Sequence, residues 1–524
     1  KPCKSSWNLQ AVVRPEGMAA SEQGAPPQLM VDGKSLGTND ASDCVADTSA
    51  HPASSQASIS EGQQDGGVSG KSPSAPPIVW YMYALAACAS LNSVNYGFDC
   101  GVSSGVTVYV REEFGLEDWQ VGLYFATNPI TAAIGAMMSH TVSDRCGRLR
   151  NFLLAQVLNL LGVVICAISQ NYPVIMVGRI FVGLSVGLGM SIDPMYIAEI
   201  APAYHRGKLT SWAEIAVNIG ITLGFFANWL LQDLPPGMNW RAMLLIGVIL
   251  PIVLVVLATT FMPESPRWLL MRGRAAEAKQ TLRRSHGEGY DVDAVVVEIE
   301  QQIAHDREND SLGWKPLFHP ERRYRRGIWL AIFVAISQQL IGLEAVLLRA
   351  PQILENTGVV SDRRGQFSLT MVMGLIKVSF IFVSASFVDT MGRKPLLLGG
   401  TAAIIVSLVL IALGQLHNVP GTLAVVGVML YVASFSLGLG PVTWLFASEL
   451  FPSTLRGKGM SLAVFSNRIT AALILFTFLP LVEAFGGQTG YFFFLAVITI
   501  GIFLITWATA YETRGLTLER SSES

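Results

Sequence analysis

The chain has 524 residues, 51% of them hydrophobic and only 14% charged, whereas about a quarter of the residues of a soluble domain carry charge, so a soluble globular protein is excluded. A formal net charge of −2 provides no basic surface for nucleic acid, and seven scattered histidines make no metal-spaced or nucleophile–base set, so no enzyme, metal site or cofactor is expected. Six cysteines without a CxxC pair read as small buried fillers.

Residues 1–77 are rich in Ser, Gly, Pro, Gln and Ala and poor in large apolar side chains, which predicts a disordered tail. From residue 78 apolar runs recur that are about 20 residues long, enough to cross a hydrocarbon core about 30 Å thick. Twelve are expected, near 78–110, 119–141, 151–169, 173–198, 208–231, 240–261, 327–354, 366–389, 395–416, 421–446, 458–484 and 488–511. They divide into an N-terminal six-helix bundle (78–263) and a C-terminal one (327–511). Between them lies a polar linker (264–326) with the charge-interrupted apolar spacing of short surface helices, and 512–524 is a short tail. Basic residues of the short loops, among them Arg145, Arg148, Arg150, Arg206, Lys208, Arg393, Lys394, Arg456 and Lys458, fall on one side, as does the linker. That asymmetry predicts a multi-pass protein with both termini and the linker in the cytoplasm.

The two halves repeat. Asp144-Arg145-Cys146-Gly147-Arg148 recurs 245 residues later as Asp389-Thr390-Met391-Gly392-Arg393, and Glu199 and Arg206 recur 250 residues later as Glu449 and Arg456. Pro263-Glu264-Ser265-Pro266-Arg267 is echoed weakly by Tyr511-Glu512-Thr513-Arg514-Gly515. Three correspondences at nearly one offset predict a duplicated six-helix unit, a construction that in secondary transporters puts a site between the halves. Polar groups cluster in one apolar run, Gln338-Gln339-Leu340-Ile341-Gly342-Leu343-Glu344 continuing through Arg349 to Pro351. An ionised side chain in hydrocarbon costs about 2.5–3.5 kcal/mol on insertion scales, so such residues line a cavity or meet partners. Asp99 and Arg179 pose the same question, and depth counting at about 1.5 Å per residue makes their levels compatible with a pair. Gly183, Gly187 and Gly189 have no strand before them and read as close helix contacts, not a nucleotide loop.

These motifs, with Gly97-Phe98-Asp99, Gly178-Arg179, Glu199-x-x-Pro202-x-x-x-Arg206-Gly207, Gln338-Gln339, Gly440-Pro441-x-x-Trp444 and Glu449-x-x-Pro452-x-x-x-Arg456-Gly457, resemble the sugar porter family of the major facilitator superfamily. The resemblance implies an all-α membrane fold, twelve helices in two duplicated bundles around a central cavity, working by alternating access. It implies proton-coupled symport of a sugar or polyol, by a monomer in the plasma membrane whose partners are a small polar solute, protons and lipid. It makes Asp99 the proton acceptor, tuned by Arg179. It makes Asp144, Arg148, Glu199, Arg206, Asp389, Arg393, Glu449 and Arg456 a cytoplasmic gate of breakable salt bridges.

The cavity departs from the family pattern. The usual asparagine after QQxxGx is Glu344, the aromatic pair that follows is Leu348-Arg349, helix 5 carries Glu214 in place of glutamine, helix 8 has Lys377 in place of asparagine, and Arg468 follows the retained Asn467. Gln338, Gln339 and Trp444 are kept. Five charges at neutral positions leave two expectations open: a charged or zwitterionic solute, or mutual neutralisation, as of Glu344 by Lys377, that still admits a polyol. A non-transporting nutrient sensor on the same fold is a third reading. On an unbroken helix Gln338 and Arg349 share a face and Glu344 points about 120° away, so Glu344 reaches the cavity only if the helix unwinds near Gly342.

Overall fold

The computed structural model describes residues 79–202, 205, 209–287, 291–310, 314–360, 362–416, 418–452 and 455–513. The predicted tail, Arg206 of the predicted gate and residues 514–524 lie outside them, as do the side chains of 307–310 and Asp389.

Among the described residues the chain is helical, without a strand. The first half contains α1 (Trp80–Phe114), α2 (Asp118–Cys146), α3 (Arg148–Ala167), α4 (Tyr172–Ile200), α5 (Trp212–Leu231), α6 (Asn239–Ile246) and α7 (Ile249–Thr260). Short helices α8 (Pro266–Met271), α9 (Ala275–His286), α10 (Val292–Asp310) and α11 (Lys315–Phe318) follow in the linker. The second half contains α12 (Arg322–Leu340), α13 (Leu343–Leu348), α14 (Ala350–Glu355), α15 (Arg363–Met391), α16 (Arg393–Gly414), α17 (Thr422–Leu437), α18 (Leu439–Leu450), α19 (Arg456–Ala484) and α20 (Gln488–Thr509). Eleven spans are long and apolar enough to cross a bilayer, counting α6 with α7, α12 with α13 and α17 with α18 as one each. The twelfth expected span is α1, 35 residues long, made more polar by Asn92, Ser93, Asn95, Asp99, Ser103 and Ser104, all buried.

Three expected single helices are broken, each beside a proline that cannot donate to the carbonyl four residues back. Pro251 is the third residue of α7, just past the break at Gly247 and Val248; Pro441 is the third of α18, just past the break at Gly438; and Pro351 follows the break at Arg349. Gly342 turns the chain between α12 and α13 with φ +85°, a conformation that costs a residue with a β-carbon. Freed carbonyls find side-chain donors, as backbone in a bilayer requires. Tyr431 donates to the Ile341 carbonyl (3.0 Å) and Ser384 to that of Leu437 (2.8 Å).

The first six spans pack on one another, as do the last six, and the halves meet mainly along α2 with α19 and α5 with α15. Gly183 and Gly187 lie against α2 so closely that β-carbons there would strike Thr131 and the Ala132 carbonyl, which bears out their reading as contact glycines. At the end far from Arg148 the halves touch through the Glu112–Arg363 ion pair, the Tyr109 and Phe367 rings (6.3 Å) and Arg349 against Phe125.

Candidate functional site

One buried ion pair lies within the first half. Arg179 donates through Nη1 to Asp99 Oδ1 (2.8 Å) and to Ser103 Oγ (3.0 Å), and Asn128 Nδ2 donates to Asp99 Oδ2 (2.5 Å). The side chains of Arg179 and Asp99 are 3% and 7% exposed, and the guanidinium also lies over the Tyr124 ring at 4.7 Å. The two sequence-predicted residues therefore meet, and Asn128 is an addition that no motif announced. Such a pair tolerates burial only while both partners stay.

Between the halves lies a polar cluster built on the break between α12 and α13. The turn at Gly342 reorients the chain, so Glu344 comes round to the side of Gln339. Arg468 Nη1 donates to Glu344 Oε1 (2.9 Å) and to the Tyr96 hydroxyl of α1 (2.9 Å), and its Nε and Nη2 donate to Asn467 Oδ1. Gln339 Nε2 donates to Asn467 Oδ1 (3.2 Å), and Asn467 Nδ2 donates to Gln338 Oε1 (3.0 Å) and the Ala335 carbonyl. Gln338 Nε2 in turn reaches the Leu439 and Gly440 carbonyls beside the break between α17 and α18. Gln339 Oε1 is buried without a donor.

The remaining charges sort themselves around this cluster. Glu214 on α5 and Lys377 on α15 act on one another electrostatically across the seam between the halves, without a direct ion pair, and the Lys377 ammonium sits 5.0 Å from the Phe435 ring centre. The expected neutralisation of Glu344 by Lys377 is replaced by Glu344 with Arg468, because Arg468 is the cation the reoriented chain reaches. Arg349 is not part of the cluster. Its guanidinium lies between the rings of Phe125 (5.0 Å) and Phe478 (5.1 Å), 2% exposed, with Nε and Nη2 lacking acceptors. The face it was expected to share with Gln338 is lost because α12 does not continue past Leu340. Trp444 on α18 is half-buried.

The repeated motifs form two matching clusters at one end of the molecule. Arg148 grips Glu199 with two bonds of 2.8 Å and reaches Asp144 at 3.2 Å; Arg393 donates twice to Glu449, at 3.0 and 3.2 Å. Each glutamate accepts a further hydroxyl, from Ser265 and from Thr513, both at 2.5 Å. Glu264 accepts the first backbone N–H groups of α3 at Arg148 (2.9 Å) and Leu149, and Glu512 does the same for α16 at Arg393 (2.9 Å) and Lys394 (3.1 Å). A carboxylate at a helix N-terminus satisfies orphan donors and complements the dipole. Burial nevertheless pushes the Glu264 carboxyl above its ordinary range, against the downward pull of those N–H groups. Gly147 and Gly392, at φ +103° and +93°, give both carboxylates room, since a β-carbon at either would strike the capping oxygens. Arg456 is half-buried, with Nε and Nη2 lacking acceptors.

Glu264, Ser265, Glu512 and Thr513 were thus legible only as a weak echo of two pentapeptides, although they complete both clusters. Tyr96 carried no signal, because a tyrosine on an apolar helix is ordinary.

A family model described as sugar (and other) transporter matches residues 80–524. Polyol transporter 5 of Arabidopsis thaliana is 34% identical over 471 residues, covering 84% of this chain and 86% of that protein. The D-xylose-proton symporter-like 2 protein of the same plant is 32% identical over 450 residues, covering 82% and 88%. Among solved structures, the partially occluded inward-open xylose transporter XylE from E. coli superposes with a TM-score of 0.73 at 26% identity, over 84% of this chain and 100% of that one.

Proposed function

The chain belongs to the sugar porter family of the major facilitator superfamily, an integral, multi-pass membrane transporter, and from that premise we propose that it is a proton-coupled symporter of a neutral polyhydroxy solute, a sugar or polyol. The observation that carries the solute class is charge balance. Of the five charges at the family's neutral positions, Glu344 is paired with Arg468, Glu214 and Lys377 offset one another electrostatically without direct contact, and Arg349 lies outside the polar cluster among aromatic rings. No unmatched charge in the cluster calls for a charged solute, and a buried charge brought in by one would itself need a partner. What the cluster offers is amides, which both donate to and accept from hydroxyls, and the buried Gln339 Oε1 is an acceptor for an incoming O–H. The similarity to a polyol transporter and to the xylose transporter XylE points the same way.

Asp99 and Arg179 support the coupling. Protonating Asp99 removes the charge that holds Arg179 in place, so proton binding and rearrangement of the first half become one event. The two matching clusters then act at the cytoplasmic ends of both halves, and the contacts around Arg363 and Phe367 close the outer end. Both termini lie in the cytoplasm on this reading, as the basic loops expect.

Uptake into proteoliposomes of D-xylose, glucose, xylitol, sorbitol, myo-inositol and charged amino acids, with and without an inward proton gradient, tests the proposal. Gradient-driven accumulation of a neutral sugar or polyol is the expected result. Uptake confined to charged solutes overturns the solute class, accumulation indifferent to the gradient overturns the coupling, and binding without uptake turns the reading to a sensor.

A further inference from the structure

We propose that Asp193 is a second proton-binding carboxyl, linked to Asp99 by a polar passage inside the first half that touches the cluster around Arg468 only through Tyr96. The inference rests on the coupling reading above and adds the route by which the proton leaves.

Asp193 lies on α4, 14 residues beyond Arg179, and is 1% exposed. Its Oδ1 accepts from Asn92 Nδ2 (2.8 Å) and its Oδ2 from Ser93 Oγ (2.7 Å). No cation pairs with it among the described residues, unlike Asp99, Glu199, Glu344 and Glu449. The helices packed on it face it with neutral groups: Asn92, Ser93 and Tyr96 from α1 and Asn159 from α3, with Gln156 of α3 donating to Asn92 Oδ1 behind them. Ionisable groups on the surrounding elements are engaged elsewhere. On α1, Asp99 meets Arg179; on α2, His140 and Asp144 meet one another; on α3, Arg148 meets Glu199 of α4; on α8, Arg267 meets Asp306. Cys88 of α1 is a buried thiol. An ionised carboxylate buried without a cation is unfavourable, and a proton removes that cost. Both carboxylate oxygens accept hydrogens here, from Asn92 Nδ2 and Ser93 Oγ, the arrangement of a hydrogen-bonded acid.

Two small cavities lie between the acids. One is lined by Asp99, Asn95, Phe98 and Asn159, the other by Asp193, Asn92, Ser93, Asn95 and Asn159. They share Asn95 and Asn159, and each has room for about one water molecule. Asn159, which lines both cavities, has its Oδ1 buried without a donor, which suits it to anchor water along the way. On α1 the polar residues fall at 92, 95 and 99, one face of the helix.

The proton leaves the Asp99 carboxyl for cavity water, and a proton from that water passes to the Asp193 carboxylate. Asp99 regains its charge and its pair with Arg179, Asp193 becomes neutral, and no charge is left unbalanced. Asp193 then releases the proton toward the Arg148–Glu199 cluster, six residues and about 9 Å further along α4.

The test compares wild type, Asp193→Asn, Asp193→Glu and Asn159→Leu in proteoliposomes containing a pH-sensitive dye, with xylitol or D-xylose as solute. The readout is gradient-driven accumulation and solute-driven proton influx, each divided by solute counterflow, so that poor folding does not mimic the effect. Asp193→Asn lowers both ratios about a hundredfold, Asn159→Leu lowers them without altering either acid, and Asp193→Glu largely restores them. Wild-type ratios in both Asp193→Asn and Asn159→Leu overturn the passage while leaving the coupling intact. A wild-type protein that does not accumulate solute in a proton gradient overturns the coupling reading, and the passage with it. Accumulation driven by sodium and lost in Asp193→Asn makes the site a cation site and overturns its assignment to protons.

Discussion

Arg468 donates to Glu344, Tyr96 and Asn467 at once, so it ties the second half to α1 of the first while neutralising the acid beside it. Removing only the cation leaves Glu344 charged and buried, a change that costs about 3–5 kcal/mol. Arg468→Gln therefore lowers the thermal unfolding temperature in detergent, and Arg468→Gln with Glu344→Gln recovers most of the loss; equal destabilisation by the single and double variants would mean the pair is not what Arg468 supplies. For Asp99 the expected outcome is a change in coupling. Asp99→Asn abolishes accumulation against a gradient while the ratio of counterflow to accumulation rises, and a variant that still concentrates solute in a proton gradient removes Asp99 from the coupling step. The sequence revealed that five charges had entered neutral positions, since residue type is all that requires. It did not reveal their pairing, because Glu344 meets Arg468 across 124 positions and through a turn that no periodicity encodes.

At the scale of elements, the broken helices place the polar groups. Gly342 has φ +85°, and a β-carbon there would lie 2.9 Å from Leu495 Cδ1. Gly342→Ala thus pays about 1–2 kcal/mol for the left-handed backbone and forces Leu495 to move. Lower thermal stability together with weaker solute binding is expected; lost stability with unchanged binding would show that the turn does not position Glu344. The glutamate clusters at the helix ends act on a different coordinate. Glu449→Gln keeps the shape and removes the charge that Arg393 addresses, worth about 1–3 kcal/mol, or about five- to 150-fold in a conformational equilibrium. Spin labels on the ends of α2 and α15 nearest Arg148 and Arg393 report a shift toward the state open at that end. Distances that do not change would make Glu449 a local brace for the ends of α16 and α18. The hydrophobic runs foretold where helices lie because apolar length is written locally. The three breaks were not foretold, as Pro251, Pro351 and Pro441 also occur in unbroken kinked helices, and the side chains that compensate them come from other spans.

For the whole molecule, two sets of six spans meet along α2 with α19 and α5 with α15; at that seam Glu344 pairs with Arg468 and Glu214 offsets Lys377, while Arg349 stands without an anion among aromatic rings. The seam must slide in any alternating-access cycle, which fits its few direct ion pairs: the Glu112–Arg363 pair at the far end is exposed and worth about 0–1 kcal/mol. The amino-acid sequence by itself determined membrane class, number of spans, duplication and family, because each depends on composition, run length or motif order, which survive without knowledge of contacts. It also singled out Asp99 with Arg179, since charges in apolar helices are costly wherever they sit. Only the tertiary structure decided that Arg468 and not Lys377 holds Glu344, that Arg349 lies among aromatic rings, that Glu264 and Glu512 cap equivalent helices, and that Asp193 is buried without a cation. Each of these depends on which side chains from distant spans come within about 3 Å, and that is set by helix packing and by the turns at Gly342, Gly147 and Gly392.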